Sequence, residues 1–275
     1  MYKAFILSFI LFSSCAKQET KRPKPTILVS IAPYKNIVEK VAGDDFCVEV
    51  IVPEGANPHA YEPTPREIQA IAKGSIWFQV GESFEKKVLP VLQEKQAITC
   101  IDLRESIEVI KSSGCKCDDS GEDRHIWLSP KNIIAHVKVI QSTLQKLYPE
   151  KEFHGESLIS SLERLDQTIV NKLRAASHKS FIVAHPAFGY FCRDYGISQI
   201  SIEHDGKEPT AKYLTHVIET ATNLQTSLAI CMPEHPSKGI EVIAERLNVS
   251  TYTMSPYSSN FLEEMERLAT LVSDE

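Results

Sequence analysis

The sequence predicts an α/β protein with two lobes, each built on a four-stranded, mainly parallel sheet flanked by helices, and one long α-helix that joins the lobes. Eight short runs rich in β-branched and aromatic residues recur along the chain. Helical stretches separate these runs, which is the alternation typical of parallel βαβ units. The middle of the chain has no strand signal, and its apolar residues recur with helical spacing.

Length and composition are those of an ordinary globular protein with more than one domain. The chain has 275 residues, of which 43% are hydrophobic and 24% charged. A single domain typically has about 100 to 150 residues, so two lobes are expected. The 36 acidic residues outnumber the 30 basic residues, for a net charge of −6. This mild acidity argues against a nucleic-acid partner.

The N-terminus has the architecture of an export signal. The apolar run at 4–12 follows Lys3 and is too short for a membrane span, which needs about 20 residues, but it suits a signal peptide. Small residues and Cys15 come next and resemble the lipobox of bacterial lipoproteins. We therefore predict a signal peptide at 1–14, a lipidated Cys15 with a polar tether at 15–26, and a location in the periplasm or at the cell surface.

The N-terminal α/β lobe is predicted to span residues 27–150. Helical patterns at 33–41 and 65–73 lie between its strands. Ser129 and Pro130 fit the cap and first position of a further helix, which ends before Pro149. The four predicted strands are ILVSI (27–31), FCVEVIV (46–52), SIWFQV (75–80) and AITCIDL (97–103).

The linking helix is predicted within residues 151–177, and the C-terminal α/β lobe at 178–275. Leucine and isoleucine recur at helical spacing from Leu158 to Leu173, which predicts a helix of about 20 residues and about 30 Å. A stiff connector of this kind implies a small hinge motion. The strands predicted after it are FIVA (181–184), SQISIE (198–203), SLAICM (227–232) and VSTYTM (249–254).

Three histidines lie where ligands bind in open α/β sheets, beyond the carboxyl ends of strands. His59 follows the second strand in the proline-stiffened loop GANPHAYEPTP, and His185 directly follows the strand FIVA. His125 lies in the loop before the helix that Ser129 caps. Imidazole suits zinc and neighbouring transition metals, so the three predict a metal site between the lobes. Their spacing is too wide to be a motif, and three unrelated loop histidines remain the alternative.

The chain resembles the ZnuA/TroA-like metal-binding receptors of bacterial ABC uptake systems, from about residue 27 to its end. Together, the matching segments are highly specific for this family. They are GANPHAYEPTPREIQAIAKGSIWFQVG (55–81), DRHIWLSPKN (123–132), HPAFGYFCRDYGI (185–197), EPTAKYL (208–214) and TMSPYSSNFLEEMERL (253–268).

This resemblance implies a receptor that binds metal in the cleft between its lobes and delivers it to an ABC permease in the membrane, without catalytic turnover. The first three family ligands fall on His59, His125 and His185. Histidine at the third position is similar to the zinc-binding members, so the resemblance favours Zn²⁺, with Mn²⁺ as the alternative. We expect the protein to be a monomer.

The chain departs from the family at the fourth ligand. That carboxylate position is Ser255 here, and a neutral hydroxyl is a poor ligand for a divalent metal. Glu203, His204 and a solvent molecule remain open as substitutes. Glu62 is a candidate acceptor for a ligand imidazole, although an exposed loop carboxylate is an equally good interpretation.

Six cysteines remain besides Cys15, and six allow 15 pairings that the sequence does not resolve. Cys47, Cys100 and Cys231 fall inside predicted strands, where buried free thiols are expected. Cys115 and Cys117 lie in an acidic segment at 112–125, which either collects metal or is a solvated linker. No function is assigned to His136, His154, His178, His216 and His235.

Three other functions stay open. A manganese or iron receptor would use the same fold, and a surface adhesin-type lipoprotein would have the same export signal. A zinc hydrolase is conceivable, because three histidines and a solvent position are the ligands of a catalytic zinc. The sequence contains no HExxH motif and no evident general base, so the hydrolase is the least favoured and no enzymatic activity is predicted.

Overall fold

The structure is a computed structural model that describes residues 24–94, 98–112, 121–177, 179–203 and 209–273, with only the backbone of residues 93 and 94. Several sequence predictions lie outside these residues. They are the signal peptide at 1–14, the first part of the tether, Cys15, Cys115, Cys117, His178 and His204. Among the described residues, no helix combines the length and the apolar character that crossing a bilayer requires.

Two four-stranded parallel sheets form the frame, as the sequence predicts. The N-terminal sheet has the order β2-β1-β3-β4 and the C-terminal sheet the order β6-β5-β7-β8. Each predicted run overlaps one strand, and β1 and β5 begin one residue before their runs. The strands are β1 (Thr26–Val29), β2 (Cys47–Val50), β3 (Ile76–Gln79), β4 (Thr99–Asp102), β5 (Ser180–Val183), β6 (Ser198–Ser201), β7 (Leu228–Cys231) and β8 (Ser250–Thr253).

Helices flank both sheets. Within the described ranges they are α1 (Pro33–Ala42), α2 (Pro65–Ile71), α3 (Ser83–Glu94), α4 (Pro130–Leu147), α5 (Gly155–Ala175), α6 (Gly189–Tyr195), α7 (Ala211–Asn223), α8 (Lys238–Leu247) and α9 (Phe261–Ser273). Both sheets therefore have the layered α/β arrangement in which crossover helices cover parallel strands.

Local sequence explains where the two central helices begin and what they bury. The Ser129 hydroxyl accepts a hydrogen bond from the Asn132 amide, and Pro130 occupies the first position of α4. Helix α5 has 21 residues and buries an apolar face that runs from Leu158 to Leu173. It follows the last element of the N-terminal half and precedes β5, so it connects the two sheets.

One buried apolar cluster contains residues from both sheets, including Ile27 and Trp77 on the N-terminal side and Ile230 on the C-terminal side. A smaller cluster, with Ile182 and Ile243, belongs to the C-terminal half alone. The halves are also joined by a hydrogen bond that Trp127 Nε1 donates to the Pro256 carbonyl at 2.7 Å. This shared packing fixes the loops that extend from the carboxyl ends of the strands.

The cysteines in the described ranges are free thiols. Cys100 and Cys231 lie in strands and are partly buried, while Cys47 is exposed on β2. The expectation that Cys47 is buried is therefore wrong, because β2 is an edge strand of its sheet and turns this side chain to solvent.

Candidate metal centre

His59 is positioned by a single 3-10 turn, Pro58–Ala60, in the loop after β2. The side chain of Asn57 accepts a hydrogen bond from the His59 amide at 3.0 Å, and Pro58 is buried. An Asx turn and a fixed proline φ leave this loop few conformations, so the imidazole direction is set locally.

His125 lies in the turn that leads into α4 and is 2% exposed. Its amide donates to Asp123 Oδ1 at 2.9 Å, and the Asn132 side chain donates to the Ile126 carbonyl at 2.9 Å. The start of α4 therefore holds this turn from one side, and Asp123 holds it from the other.

His185 follows β5 after one residue and completes a cluster of three imidazoles. The ring centres lie 5.0 Å apart for His59 and His125, 5.4 Å for His59 and His185, and 5.1 Å for His125 and His185. Nitrogens at tetrahedral positions around one zinc ion would place ring centres roughly 5 Å apart. One nitrogen of each residue lies within 4.8 Å of the other two. The three histidines predicted from sequence thus meet with spacing suited to one ion.

Each imidazole of the cluster has its outer nitrogen against a carboxylate. His59 Nδ1 lies 3.0 Å from Glu82, and His125 Nδ1 lies 2.8 Å from Asp123. His185 Nδ1 lies 2.7 Å from Glu203. An ionised carboxylate only accepts hydrogen bonds, so when all three carboxylates are ionised each Nδ1 carries the proton and each Nε2 keeps its lone pair.

The Nε2 atoms turn towards one another. His59 Nε2 and His125 Nε2 lie 3.1 Å apart, and His185 Nε2 is buried without a hydrogen-bond partner among the described residues. Lone pairs at such a distance repel each other unless a proton or a cation lies between them. This chemistry fits a metal ion.

Two glycines make room for the carboxylates on the N-terminal side. Gly81 has φ of +91°, and this left-handed residue lets the chain turn sharply after β3 so that Glu82 enters the cleft. Asp123 approaches Gly189 at the start of α6 so closely that a Cβ there would lie 2.2 Å from Asp123 Oδ2. The Tyr190 hydroxyl also donates to the Asp123 carbonyl at 2.8 Å.

Burial favours the neutral form of two of the three imidazoles. It lowers the pKa of His125 well below its usual value and lowers the pKa of His185. Burial also raises the pKa of Asp123 to about 7, so a nearby cation would favour the ionised form. Arg124, whose guanidinium lies 3.6 Å from Glu82, and Arg193, which acts on Asp123, offset part of this negative charge.

Tyr257 lies on the fourth side of the cluster, two residues after Ser255. The Tyr257 hydroxyl lies 3.1 Å from His59 Nε2, and its ring lies 5.5 Å from that of Trp127. Burial raises the pKa of Tyr257 well above its usual value, so the hydroxyl stays protonated. Ser255 instead donates to Glu234 at 2.6 Å and accepts from the Tyr257 amide at 3.2 Å. Ser255, which stands at the position of the family carboxylate, therefore orients Glu234 and the backbone of Tyr257.

The structure shows which interpretation of Glu62 is correct and which atom Glu203 contacts. Glu62 is largely exposed and pairs with Lys87, so the interpretation as an exposed loop carboxylate is correct, and Glu82 orients His59 in its place. Glu203 contacts the outer nitrogen of His185. A further residue near the cluster, His235, lies in the loop after β7.

Sequence reasoning assigned no function to His235, yet its ring stacks on that of His185, with centres 4.1 Å apart and planes within 6°. Burial lowers its pKa to about 3, so it is neutral. His235 lies four residues after β7 and Glu82 three residues after β3, both at carboxyl ends. The strand-end rule that identified His185 would have found them too. The other histidines lie elsewhere, and His136 is fully buried against Tyr34.

Two parallel α/β sheets with a buried histidine cluster beyond their strand ends define a two-lobed metal-binding protein. The chain belongs to the family described as "Zinc-uptake complex component A periplasmic", which matches residues 27–273. The resemblance inferred from the sequence motifs is therefore confirmed.

Individual relatives agree with this family. A "Putative metal-binding protein" of Chlamydia trachomatis serovar D is 32% identical over 271 residues, with 97% of each chain covered. A crystal structure of ZnuA is 29% identical with a TM-score of 0.83, covering 92% of this chain and 99% of that one. A ZnuA deletion mutant with zinc bound is also 29% identical, with a TM-score of 0.82, covering 91% of this chain and 97% of that one.

Proposed function

We propose that this protein is an extracytoplasmic receptor that binds Zn²⁺ through His59, His125 and His185 and delivers it to an ABC permease. The observation that carries this proposal is the convergence of three Nε2 lone pairs, each fixed by a carboxylate at Nδ1 of the same ring. A solved ZnuA relative with zinc bound has the same fold, which supports zinc as the cargo.

The donor set favours zinc over manganese. Imidazole nitrogens suit zinc, copper and nickel, whereas manganese prefers oxygen ligands. The three ring centres are spaced for tetrahedral ligands, the geometry that zinc usually takes. Mn²⁺ is therefore expected to bind more weakly at this centre.

Although position 255 lacks an aspartate, other carboxylates compensate the charge of the metal ion. Glu82, Asp123 and Glu203 each act through the imidazole that they hold. A carboxylate at the outer nitrogen raises the basicity of the ligand nitrogen and brings negative charge within one ring of the metal. We assign the fourth coordination position to a solvent molecule hydrogen-bonded to the Tyr257 hydroxyl.

The buried cluster suits capture and release and not turnover, so the proposal gives the protein no enzymatic activity. Delivery to a membrane permease agrees with the family to which the chain belongs. Lipid attachment at Cys15 would keep the receptor near that permease, and the protein would act as a monomer.

The test is metal binding by a chain that begins at Lys24 and so retains every described helix and strand. Zn²⁺ and Mn²⁺ are titrated against a chromophoric chelator, with His59→Ala/His185→Ala as the test variant and His216→Ala, on the exposed face of α7, as the control. We expect one tightly bound Zn²⁺ per chain, weaker Mn²⁺ binding, loss of tight binding in the double variant and no loss in the control. Tight binding that survives the double substitution would refute the assigned centre.

A further inference from the structure

We propose that Arg124 is a permanent buried cation that lowers the affinity of the three-histidine centre for a divalent metal ion and so speeds the release of that ion. This inference rests on the proposed function, because it concerns the same cargo. Arg124 has no lone pair to offer a metal ion, so its role is to tune a centre that other residues build.

The Arg124 guanidinium is buried beside the centre and does not reach the surface. Its side chain is 2% exposed, and the neighbouring Glu82 side chain has no exposed surface. One guanidinium nitrogen lies 3.6 Å from Glu82 Oε2. Because arginine is not deprotonated in proteins, this positive charge stays in place at every pH at which the fold is stable.

Arg124 and His59 face the same oxygen atom of Glu82. His59 Nδ1 lies 3.0 Å from Glu82 Oε2, the atom that also faces the guanidinium. A metal ion at His59 Nε2 would lie across that ring, so the carboxylate would stand between two cations. Arg124 therefore already balances part of the negative charge that Glu82 offers to the metal, and salt screens buried charges little.

The same positive charge disfavours a second cation at His125. Burial and the neighbouring imidazoles lower the pKa of His125, and the charge of Arg124 lowers it further. A metal ion at His125 Nε2 brings positive charge to the same ring as a proton does, and a divalent ion brings twice as much. The repulsion should therefore act on the bound metal as well.

Local backbone structure keeps the cation in this place. The Ile126 amide donates to the Arg124 carbonyl at 2.8 Å, which closes a three-residue turn around His125. The His125 amide donates to Asp123 Oδ1 at 2.9 Å from the same turn. The segment that positions the ligand imidazole thus also positions the guanidinium.

An opposing cation suits a protein that gives up its metal to a partner. The carboxylates at the outer imidazole nitrogens strengthen metal binding, and a buried positive charge next to one of them offsets part of that gain. Differences in affinity between closely related binding sites arise mostly in the dissociation rate. The effect of Arg124 is therefore expected chiefly in the rate of release.

The first experiment compares Zn²⁺ binding with and without the Arg124 charge at constant pH, by chelator competition and by stopped-flow transfer to excess chelator. We expect Arg124→Gln to bind Zn²⁺ at least about tenfold more tightly and to release it more slowly. Arg124→Lys keeps the charge and should stay within about threefold of the unsubstituted chain. Unchanged or weaker binding by Arg124→Gln, or an equal gain in Arg124→Lys, would overturn the proposal.

The control for net charge is Arg246→Gln, which removes the same formal charge from the exposed side of α8. At 0.1 M salt it should change Zn²⁺ affinity by less than about twofold, because solvent and ions screen an exposed charge. A gain in this variant as large as that in Arg124→Gln would show that overall charge, and not the buried cation, sets the affinity, and would refute the inference.

The second experiment does not depend on the folding of Arg124→Gln, which leaves Glu82 buried without its cation. Glu82→Gln and Glu82→Gln/Arg124→Gln are titrated with Zn²⁺ side by side, and the double variant should bind at least about fivefold more tightly. Equal or weaker binding by the double variant would contradict the proposal. A chain that binds no Zn²⁺ before substitution would overturn the proposed function together with this inference, whereas tight binding that ignores Arg124 refutes this inference alone.

Discussion

In the N-terminal half, the carboxylates that hold the histidines are enclosed: the Glu82 side chain has no exposed surface and that of Asp123 is 2% exposed. In the C-terminal half, Glu203 is 24% exposed and His185 has a second imidazole, His235, stacked on it. The two halves thus surround the same centre with different degrees of burial. The carboxylates of the N-terminal half are shielded from water, whereas Glu203 in the C-terminal half is partly hydrated.

The two sheets share one strand order, and their inner and edge strands differ in burial. All four residues of the inner strand β3 are buried, whereas three residues of the edge strand β8 are exposed and the fourth is partly buried. Both sheets contribute to the large apolar cluster, and within the described residues the C-terminal half also has a separate small one. A side chain on the buried inner strand β3 should therefore stabilise the fold more than one on the exposed edge strand β8.

The largest expected effect compares these two strands. Phe78→Ala removes a fully buried ring from β3 and should cost about 3 to 5 kcal/mol of unfolding free energy, because the space cannot refill. Tyr252→Ala on β8 removes a ring that stacks under Arg267 at 4.0 Å and should cost about 1 kcal/mol. Urea unfolding of the metal-free proteins measures both. Equal losses of unfolding free energy in the two variants would contradict the expectation that β3 contributes more to stability than β8.

The next effect concerns the carboxylates at the centre. Glu82→Gln removes a buried charge that faces both His59 and Arg124, and should weaken Zn²⁺ binding by about 100-fold. Glu203→Gln removes a partly hydrated charge, and the expected loss is nearer tenfold. Competition titrations give both values, and circular dichroism confirms that each variant is folded. A larger loss for Glu203→Gln would contradict the expectation that the buried carboxylate of the N-terminal half contributes more to Zn²⁺ binding.

Acid should destabilise the N-terminal half through His136. Burial lowers its pKa to about 3, whereas an unfolded histidine has a pKa of about 6.5. Between these values the unfolded chain binds a proton that the folded chain does not, so stability falls as the pH falls below 6.5, by about 2 kcal/mol at pH 5.

The check is the pH dependence of urea unfolding for the metal-free chain and for His136→Gln, which has no titrating group but keeps an acceptor for Tyr34. The difference in slope between the two proteins isolates His136 from other groups, including Glu85, whose pKa burial raises to about 7. Identical slopes for the unsubstituted chain and His136→Gln would contradict the prediction.

The smallest effect is expected at Glu62. This carboxylate is near His59 in sequence but pairs with Lys87 at the surface, and exposed pairs contribute little. Glu62→Gln should change Zn²⁺ affinity by less than about twofold. The Glu82→Gln titration is the matched comparison. A loss at Glu62 as large as that at Glu82 would mean that the loop rearranges when metal binds.

The sequence by itself determined the framework. Strand runs such as SIWFQV and FIVA predict the eight parallel strands, and Ser129-Pro130 predicts the start of α4, because alternation and capping are local properties. It also identified His59, His125 and His185 as candidates, since the strand-end rule needs only their order along the chain.

Only the tertiary structure decided how the centre is completed. Glu82 reaches His59 across 23 positions and Tyr257 reaches it across 198, distances in sequence over which no periodic pattern carries information. Glu62, three residues from His59, instead pairs with Lys87. The packing of two sheets against each other brings distant loop residues into contact, and the energy of that packing comes from apolar residues far from the histidines.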